Sequence, residues 1–336
     1  MGYDASEGCG VCGTMKNVVV TGGCGFIGSH LVEALLEKGM NVTVFDKTDV
    51  KKSNIAHLVK KINFIRGDVT KEQDVLKACK GADTIFHLSA VVGVKNYVND
   101  PLGTIDVNVI GTRNAVAAAA KEKAKLLFTS TSEIFGKNPK VPWKEEDDRV
   151  LGPTSVGRWT YSTSKSICEH MIFSARKKYG FPTTIVRYFN AYGPRQAPIF
   201  VVPAAIHRVL NGKPPLIYDK GAPTRCFTYI EDAISGTIAA AEHAADGEAF
   251  NLGSMKETNL NELAKLILKE TGREDLGVEY VDTKKLYGAS YEDIPRRVPD
   301  ATKAKRVLGW EAATPLSEGI RKTVAWCREN KEWLNG

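Results

Sequence analysis

The stretch that decides the fold is Thr21-Gly22-Gly23-Cys24-Gly25-Phe26-Ile27-Gly28. It follows a short β-branched apolar run at residues 16–21 and leads into a helical pattern that continues to Leu36, so the order is strand, glycine turn, helix. Gly22, Gly25 and Gly28 permit a tight turn, a close approach of the backbone to a pyrophosphate, and close packing of the helix on the strand. The phosphates would lie at the N-terminus of the helix. The stretch therefore predicts a dinucleotide site.

The second predicted strand indicates which dinucleotide is bound. Residues 41–45 form this strand, and it ends in Asp46, about eighteen residues after Gly28, where an acid can accept hydrogen bonds from the adenosine ribose. A carboxylate also disfavours a 2′-phosphate. We therefore expect NAD rather than NADP, although a cation, Lys47, lies beside the acid.

Two further predicted strands, at residues 62–65 and 84–88, also end in polar or small residues. Ligands of a doubly wound parallel sheet lie outside the carboxyl ends of its strands, so we expect Asp68 and Val69 to meet the adenine and Ser89 to meet the ribose or the phosphates. Asp68 could instead cap a helix. The predicted cofactor contacts of these turns are Gly22, Gly25, Phe26, Ile27, Gly28, Asp46, Lys47, Asp68, Val69, Leu88, Ser89 and Ala90.

A tyrosine and a lysine four residues apart form the second motif. They stand in Arg158-Trp159-Thr160-Tyr161-Ser162-Thr163-Ser164-Lys165, and this spacing places Tyr161 and Lys165 on one face of a predicted helix. A phenol has a free pKa near ~10, and a neighbouring ammonium favours its phenolate, so the pair can act as a base. From the spacing alone, an exposed helix pair is the alternative.

A polar run, Thr129-Ser130-Thr131-Ser132-Glu133, follows the strand predicted at residues 125–128. Hydroxyls and a carboxylate at the end of a core strand indicate either a catalytic edge or a helix-capping turn. This run lies at the same predicted sheet edge as the cofactor contacts.

The composition is that of a globular protein. The 336 residues, 43% of them apolar, can bury a large core. No run of about eighteen uncharged apolar residues and no secretion signal is present, so we expect a cytoplasmic protein without a membrane partner. The net charge of +7 comes from Lys and Arg interleaved with Asp and Glu, which argues against nucleic acid and suits an anionic small substrate.

The seven cysteines are odd in number and scattered, which predicts reduced thiols at positions such as Cys79, Cys168 and Cys226. Cys9 and Cys12 have a spacing found in zinc and redox sites, but they lack a second pair and precede the first strand. We therefore predict no metal site, and we interpret residues 1–14 as a flexible tail.

These motifs together resemble the extended short-chain dehydrogenase/reductase family, in its nucleotide-sugar branch of epimerases, decarboxylases and dehydratases. The likeness extends from about Lys16 to Glu332. It agrees with an α/β fold in which a doubly wound parallel Rossmann sheet carries a smaller C-terminal α/β substrate lobe. Residues 15–198 would be mainly the NAD-binding domain and residues 199–336 mainly the substrate lobe, with some sheet elements shared.

The resemblance also implies catalytic roles. Tyr161 would take the proton of the sugar 4-hydroxyl while hydride passes to the nicotinamide, and Thr131 would hydrogen-bond the reacting oxygen. Lys165 would bind the nicotinamide ribose and lower the pKa of the phenol, so Tyr161 and Lys165 also count as cofactor contacts.

Substrate ligands and an oligomeric state follow from the same likeness. Asn190, Arg225 and Arg297 would bind the substrate diphosphate, for which arginine is well suited, although each arginine alone could be a surface charge. The nucleotide-sugar branch implies a retained NAD. It also implies a homodimer, formed through the helices at residues 108–120 and 164–179.

Two sets of residues leave the fate of the 4-keto sugar open. Thr131-Ser132-Glu133, Arg158-Trp159 and residues 296–300 resemble UDP-glucuronate decarboxylases, in which Glu133 could help with protonation. Residues 187–198 instead resemble 4-epimerases, in which Arg195 would steady the keto-sugar. We predict a UDP-sugar 4-epimerase with a uronate as a candidate substrate, and we keep the decarboxylase as the alternative.

Two other activities fit less well. Glucose 4,6-dehydratases have an acid where Ser132 stands, although GDP-mannose dehydratases use Thr-Ser-Glu. A non-catalytic dinucleotide-binding regulator would be expected to lack the phenol or the lysine, and this chain keeps both. The predicted catalytic residues are Tyr161, Lys165, Thr131, Ser132 and Glu133.

Overall fold

The centre of the structure is a parallel sheet of seven strands, seen in a computed structural model that describes residues 15–242, 245–282 and 294–335. The predicted tail and its Cys9 and Cys12 lie outside the described residues. The strands of the large sheet and of the smaller sheets are, in chain order, β1 (Asn17–Thr21), β2 (Asn41–Asp46), β3 (Asn63–Arg66), β4 (Thr84–His87), β5 (Lys125–Thr131), β6 (Thr183–Tyr188), β7 (Ala191–Tyr192), β8 (Leu216–Tyr218), β9 (Thr224–Cys226), β10 (Thr228–Tyr229), β11 (Glu248–Leu252), β12 (Glu257–Asn259), β13 (Glu279–Val281) and β14 (Arg296–Arg297).

The spatial order of the large sheet is β11-β6-β5-β4-β1-β2-β3. The order reverses between β1 and β4, and in a doubly wound sheet this reversal opens a crevice at the carboxyl ends of the strands. The predicted doubly wound α/β fold is confirmed.

Helices cover both faces of the sheet. The α-helices in chain order, including those outside these two layers, are α1 (Phe26–Glu37), α2 (Glu72–Ala78), α3 (Val94–Asn99), α4 (Pro101–Ile105), α5 (Gly111–Glu122), α6 (Thr160–Tyr179), α7 (Val201–Leu210), α8 (Ile230–Glu242), α9 (Leu260–Thr271), α10 (Thr302–Leu308), α11 (Leu316–Glu329) and α12 (Lys331–Asn335).

Two apolar clusters show why the strands are so apolar. Val20 of β1 packs in one cluster with residues of α1 and α8, whereas its neighbour Val19 packs in the other with residues of α5 and α6. Successive side chains of a strand point to opposite faces, so a strand covered on both sides is apolar at every position.

Several predicted boundaries are corrected by the structure. The helix predicted at residues 108–120 starts earlier, because a π-helical segment, Asp106–Ile110, joins α4 to α5. The strand predicted at residues 125–128 continues to Thr131, because Ser130 and Thr131 pair with β6. Residues 226–230, whose composition also favours a single strand, are divided instead: β9 ends at Cys226, β10 is Thr228–Tyr229, and α8 begins at Ile230.

Small sheets built from the second half of the chain lie beside the large one. β9 pairs with β12 and with β14, and the β9–β14 pairing places Arg297 opposite Arg225. The edge strand β11 of the large sheet also comes from this half. The division into two domains stays a prediction.

Within the described ranges, none of the helices combines the length and the apolar character that crossing a bilayer requires.

A buried ion pair ties helix α6 to strand β6. Arg187 donates through Nε and Nη2 to the two carboxylate oxygens of Glu169, at 3.0 and 2.7 Å, and both side chains are less than 10% exposed. Arg187 also donates to the carbonyl of Glu145 at 2.7 Å. Glu169 is therefore the carboxylate that compensates the buried charge of Arg187.

We expect Glu169→Met to lower the free energy of unfolding by about 3–5 kcal/mol, because it leaves the buried Arg187 charge uncompensated. The double variant Glu169→Met with Arg187→Met removes both charges and is expected to recover most of that loss. Urea unfolding of the three proteins checks this, and a double variant as unstable as the single one would contradict it.

Candidate active site

A cleft of about 990 Å³ lies outside the carboxyl ends of the large sheet. The lining includes every predicted catalytic and cofactor residue and the predicted substrate ligands Asn190, Arg225 and Arg297. Residues from both halves of the chain therefore meet in one cavity, as expected for a site at the reversal of strand order.

The glycine turn forms one end of this cleft. Gly22 has a φ of +73°, and a Cβ added there would lie 2.9 Å from the backbone nitrogen of Ser89. A Cβ on Gly28 would overlap the carbonyl oxygen of Gly22, so this glycine allows α1 to pack closely on the turn. Gly25 precedes α1, whose N-terminus has no side-chain cap. These features fit a dinucleotide pyrophosphate bound by the free amides of the helix.

Two acids lie along the adenosine side of the cleft. Asp46 accepts hydrogen bonds from the backbone nitrogens of Cys24 at 3.1 Å and Thr48 at 3.0 Å. Asp68 lines the cleft and also caps a turn, since its carboxylate accepts from the backbone nitrogen and the hydroxyl of Thr70, each at 2.9 Å. The backbone hydrogen bond from Thr70 lowers the pKa of Asp68. The cleft thus has two acids where the adenosine would lie.

Tyr161 and Lys165 are both buried on α6, but they do not interact as the spacing suggested. Lys165 Nζ donates to the carbonyl of Thr129 at 2.8 Å and lies 4.5 Å from the centre of the Phe128 ring. Burial lowers the pKa of Lys165 to about 8. Burial and the charge of Glu133 raise the pKa of Tyr161, and only a hydrogen bond with Thr131 lowers it. The predicted lowering of the phenol pKa by Lys165 is therefore not seen, because the ammonium is directed at strand β5.

A second tyrosine covers the first. The ring of Tyr97, on α3, stacks on the Tyr161 ring with centres 5.4 Å apart and an interplanar angle of 8°. Tyr97 is 1% exposed and lines the cleft. The sequence analysis missed this residue, because a tyrosine in a six-residue helix has no periodicity or motif that marks it.

Glu133 lies between two arginines beside these tyrosines. It accepts hydrogen bonds from Arg158 at 2.7 Å and from Arg297 at 3.1 Å. Burial raises the pKa of Glu133, but the charges of the two guanidiniums outweigh burial and lower it to about 2. Arg158 is 2% exposed, with its guanidinium 5.6 Å from the centre of the Tyr97 ring. The cluster is therefore one carboxylate and two cations, with a net positive charge.

Ser132 and Asn190 also line the cleft. Ser132 is 2% exposed and directly precedes Glu133. Asn190 has a φ of +41°, and its side-chain nitrogen donates to the carbonyl of Cys226 at 3.1 Å.

Arg195 is the one predicted site residue that does not line the cleft. Its Nη2 instead donates to Glu33 of α1 at 2.8 Å. The prediction that Arg195 contacts the keto-sugar is corrected. Arg195 lies in a turn, where its backbone is left-handed with a φ of +69°, and its side chain pairs with Glu33 of α1.

The known protein families identify the chain. A family model described as GDP-mannose 4,6 dehydratase matches residues 19–323. The chain belongs to this family. Its predicted membership of the nucleotide-sugar branch of the extended short-chain dehydrogenases is thereby confirmed.

Two curated relatives of the chain are decarboxylases. The chain is 38% identical to the UDP-N-acetyl-alpha-D-glucosaminuronate decarboxylase of Bacillus cytotoxicus over 318 residues, covering 94% of this chain and 98% of the relative. It is 33% identical to UDP-glucuronic acid decarboxylase 1 of Xenopus tropicalis over 322 residues, covering 94% and 73%.

Solved structures share the fold. The UDP-glucose 4-epimerase of Thermotoga maritima, solved with UDP-glucose, has a TM-score of 0.84 and 32% identity, covering 94% of this chain and 99% of the other. The dTDP-glucose 4,6-dehydratase of Bacillus anthracis, solved with NAD, has a TM-score of 0.82 and 25% identity, covering 95% and 98%.

The predicted 4-epimerase activity is wrong. The sequence relatives that overturn it are decarboxylases, whereas the solved structures include both epimerases and dehydratases and so do not separate the activities. The misleading segment was residues 187–198: its Arg195 pairs with α1 and lies outside the cleft.

Lys165→Met should show the pH dependence that burial imposes. The pKa of Lys165 is about 8 in the folded protein and near ~10.4 in an unfolded chain. Between these values the unfolded chain binds more protons, so this residue makes stability rise with pH. Both proteins are compared without cofactor. At pH 7 the variant should have the higher free energy of unfolding, by at most about 3 kcal/mol. The lost hydrogen bond to Thr129 reduces this gain, and the difference should shrink towards pH 10. Urea unfolding at several pH values measures it; a pH-independent difference would contradict the argument.

Proposed function

We propose that this protein is an NAD-dependent decarboxylase of UDP-linked uronates, acting on UDP-glucuronate or its 2-acetamido relative. The observation that carries the proposal is the Glu133 carboxylate held between Arg158 and Arg297 beside Tyr161. The net positive charge of this cluster favours a substrate carboxylate, because opposite charges attract strongly in a partly buried site. The decarboxylase relatives give independent support.

NAD is the cofactor, as predicted, and the glycine turn, the uncapped end of α1 and Asp46 would hold it. When bound, NAD would supply the hydride acceptor and donor for C4, and the positive charge of its oxidised form would favour the phenolate of Tyr161. The chain's own residues manage the proton. Tyr161 accepts it from the 4-hydroxyl, and Thr131 donates a hydrogen bond to the same oxygen.

The ketone at C4 makes the loss of CO2 possible. The carboxylate on C5 is then β to a carbonyl, so the C5–C6 bond can break with its electron pair moving into the ring as an enolate. The enolate oxygen is the former 4-hydroxyl oxygen, and Tyr161 with Thr131 stabilises its charge through hydrogen bonds. A proton then adds to C5 and the ketone is reduced again.

Glu133 is not the donor of that proton. Its pKa of about 2 keeps it ionised at neutral pH, so it accepts hydrogen bonds and can orient a water towards C5. The sequence interpretation that Glu133 helps protonation is retained only in this indirect form. A fixed carboxylate also keeps the two arginines in place for the substrate.

UDP as the nucleotide is part of the proposal, and solved neighbours bind UDP-sugars. The homodimer stays a prediction; an exposed apolar side chain on each of the two predicted dimer helices, Ile110 and Ile167, agrees with it. The cytoplasmic location also stays a prediction.

Incubation with four nucleotide sugars tests the reaction. We expect UDP-glucuronate or UDP-N-acetylglucosaminuronate to lose CO2 and give the corresponding pentose, because only these carry a carboxylate on C5. UDP-glucose and UDP-N-acetylglucosamine serve as matched controls and should keep their mass. NMR and mass spectrometry identify the products, and a galacto-configured product of unchanged mass would rule the decarboxylase out.

Neighbouring arginines give a matched pair of variants. Arg297→Met should lower the rate of CO2 release by roughly 10²–10³, the usual cost of removing one fixed electrostatic group from an active site. Arg296→Met should change it less than about twofold, because Arg296 is exposed and pairs with Glu257 at 2.8 Å, away from the cleft. Steady-state release of CO2 measures both, and equal losses would contradict the role of Arg297.

A further inference from the structure

The turn that contains Arg195 is attached to the cofactor helix. His30 Nε2 on α1 donates to the carbonyl oxygen of Pro194 at 3.0 Å, and Arg195 Nη2 donates to Glu33 Oε1 at 2.8 Å. Glu33 also accepts from His57 at 2.7 Å. Burial raises the pKa of Glu33, but the hydrogen bonds from Arg195 and His57 outweigh burial and lower the pKa below its ordinary value, so this carboxylate stays ionised.

The same turn forms part of the substrate side of the cleft. Gln196 is 6% exposed and lines the cleft, and its side-chain nitrogen donates to the carbonyl of Ala191 at 3.0 Å. Pro198 and Ile199, two and three residues further on, also line it. A shift of the turn therefore changes the shape of the cleft.

The C-terminal helix holds the turn from a third side. Trp333 Nε1 donates to the carbonyl oxygen of Gln196 at 2.9 Å. Arg195 itself has a left-handed backbone, with a φ of +69°. Residues other than glycine rarely adopt this conformation, and it persists where surrounding contacts impose it.

We infer that the Arg195–Glu33 ion pair is a positioning device that couples occupation of the nucleotide-sugar side of the cleft to dinucleotide binding at α1. α1 begins at Phe26, next to the glycine turn, and its residues Gly28 and Phe26 line the cofactor end of the cleft. A regular helix of twelve residues moves as a unit, so a displacement of its start is passed to Glu33 two turns later. The inference relies on the proposed function only for the identity of the nucleotide.

Coupling of this kind is reciprocal. If a bound nucleoside diphosphate tightens NAD⁺ binding by some factor, NAD⁺ tightens the diphosphate by the same factor. Arg195 lies outside the cleft, so its replacement removes no contact with either ligand. A change in the coupling factor therefore reports the link, whereas a merely structural defect would weaken each ligand separately and leave the factor unchanged.

The test uses the full chain after removal of any co-purified dinucleotide. Isothermal titration calorimetry gives the Kd of NAD⁺ without and with saturating UDP, and the Kd of UDP without and with NAD⁺. In the wild type we expect UDP to tighten NAD⁺ roughly fivefold or more. Arg195→Met should bring this factor close to one. Arg195→Lys, which keeps a cation facing Glu33, should restore part of it.

Lys38→Met is the matched control. Lys38 follows the same helix and pairs with Glu242 of α8 at 3.1 Å, without touching the turn. We expect this variant to keep the wild-type factor. The inference is overturned if the wild type shows no coupling, if Arg195→Met keeps the factor, or if Lys38→Met loses it equally.

The outcome also separates this inference from the proposed function. If dTDP or GDP binds and UDP does not, the proposed nucleotide is wrong, and the coupling is measured with the nucleotide that binds. If UDP couples to NAD⁺ while no uronate loses CO2, the positioning role stands and the decarboxylase does not. Binding of no nucleotide overturns both.

Discussion

The proposed chemistry of the cleft depends on one interaction, in which the carboxylate of Glu133 lies between the guanidiniums of Arg158 and Arg297. Removing a carboxylate from water is costly unless charges and hydrogen bonds compensate it, and here two cations do so. The cluster also joins three separate elements: the end of β5, the turn before α6, and β14. The positive surplus that the cluster leaves is a property of all three together.

In the proposed mechanism the large sheet positions the residues for the first step, oxidation at C4, and does not decide the second step. An epimerase and a dehydratase superimpose on this fold with TM-scores of 0.84 and 0.82. Function in such a fold is set by the side chains grafted onto it. In this protein the side chains around Tyr161 are those of the Glu133 cluster and the stacked Tyr97, and the proposed decarboxylation rests on the Glu133 cluster.

The residues that sequence patterns predicted well are those with local causes. Gly22 and Gly28 are recognisable because a turn and a helix packed at their positions leave no room for a Cβ. The fold follows from such patterns, since alternating strands and helices with a glycine turn allow few arrangements. Loop contacts between distant segments are different. The partner of Arg195 is Glu33, 162 residues earlier, and no pattern near Arg195 indicates it.

The protonation states also required the structure. The spacing of Tyr161 and Lys165 suggested that a cation lowers the phenol pKa, but burial and the direction of Lys165 decide otherwise. Similarly, Glu133 was recognised as a polar residue at a strand end, whereas its ionisation follows from two arginines, one of them 164 residues away in sequence. The error about the overall reaction has the same origin, because a local segment, residues 187–198, was weighed without its contacts.

The position of Arg297 in β14 has a consequence for how the protein matures. Tyr161, Thr131 and Lys165 come from a continuous part of the chain, but Arg297 reaches them through a two-residue strand paired to β9. Bringing segments so far apart together costs loop-closure entropy, so this contact forms only when the chain between them is folded back. In the proposed mechanism, the residues assigned to C4 oxidation lie in one continuous segment, whereas the cation assigned to the uronate comes from far along the chain. The complete proposed reaction therefore requires the last third of the chain to be folded.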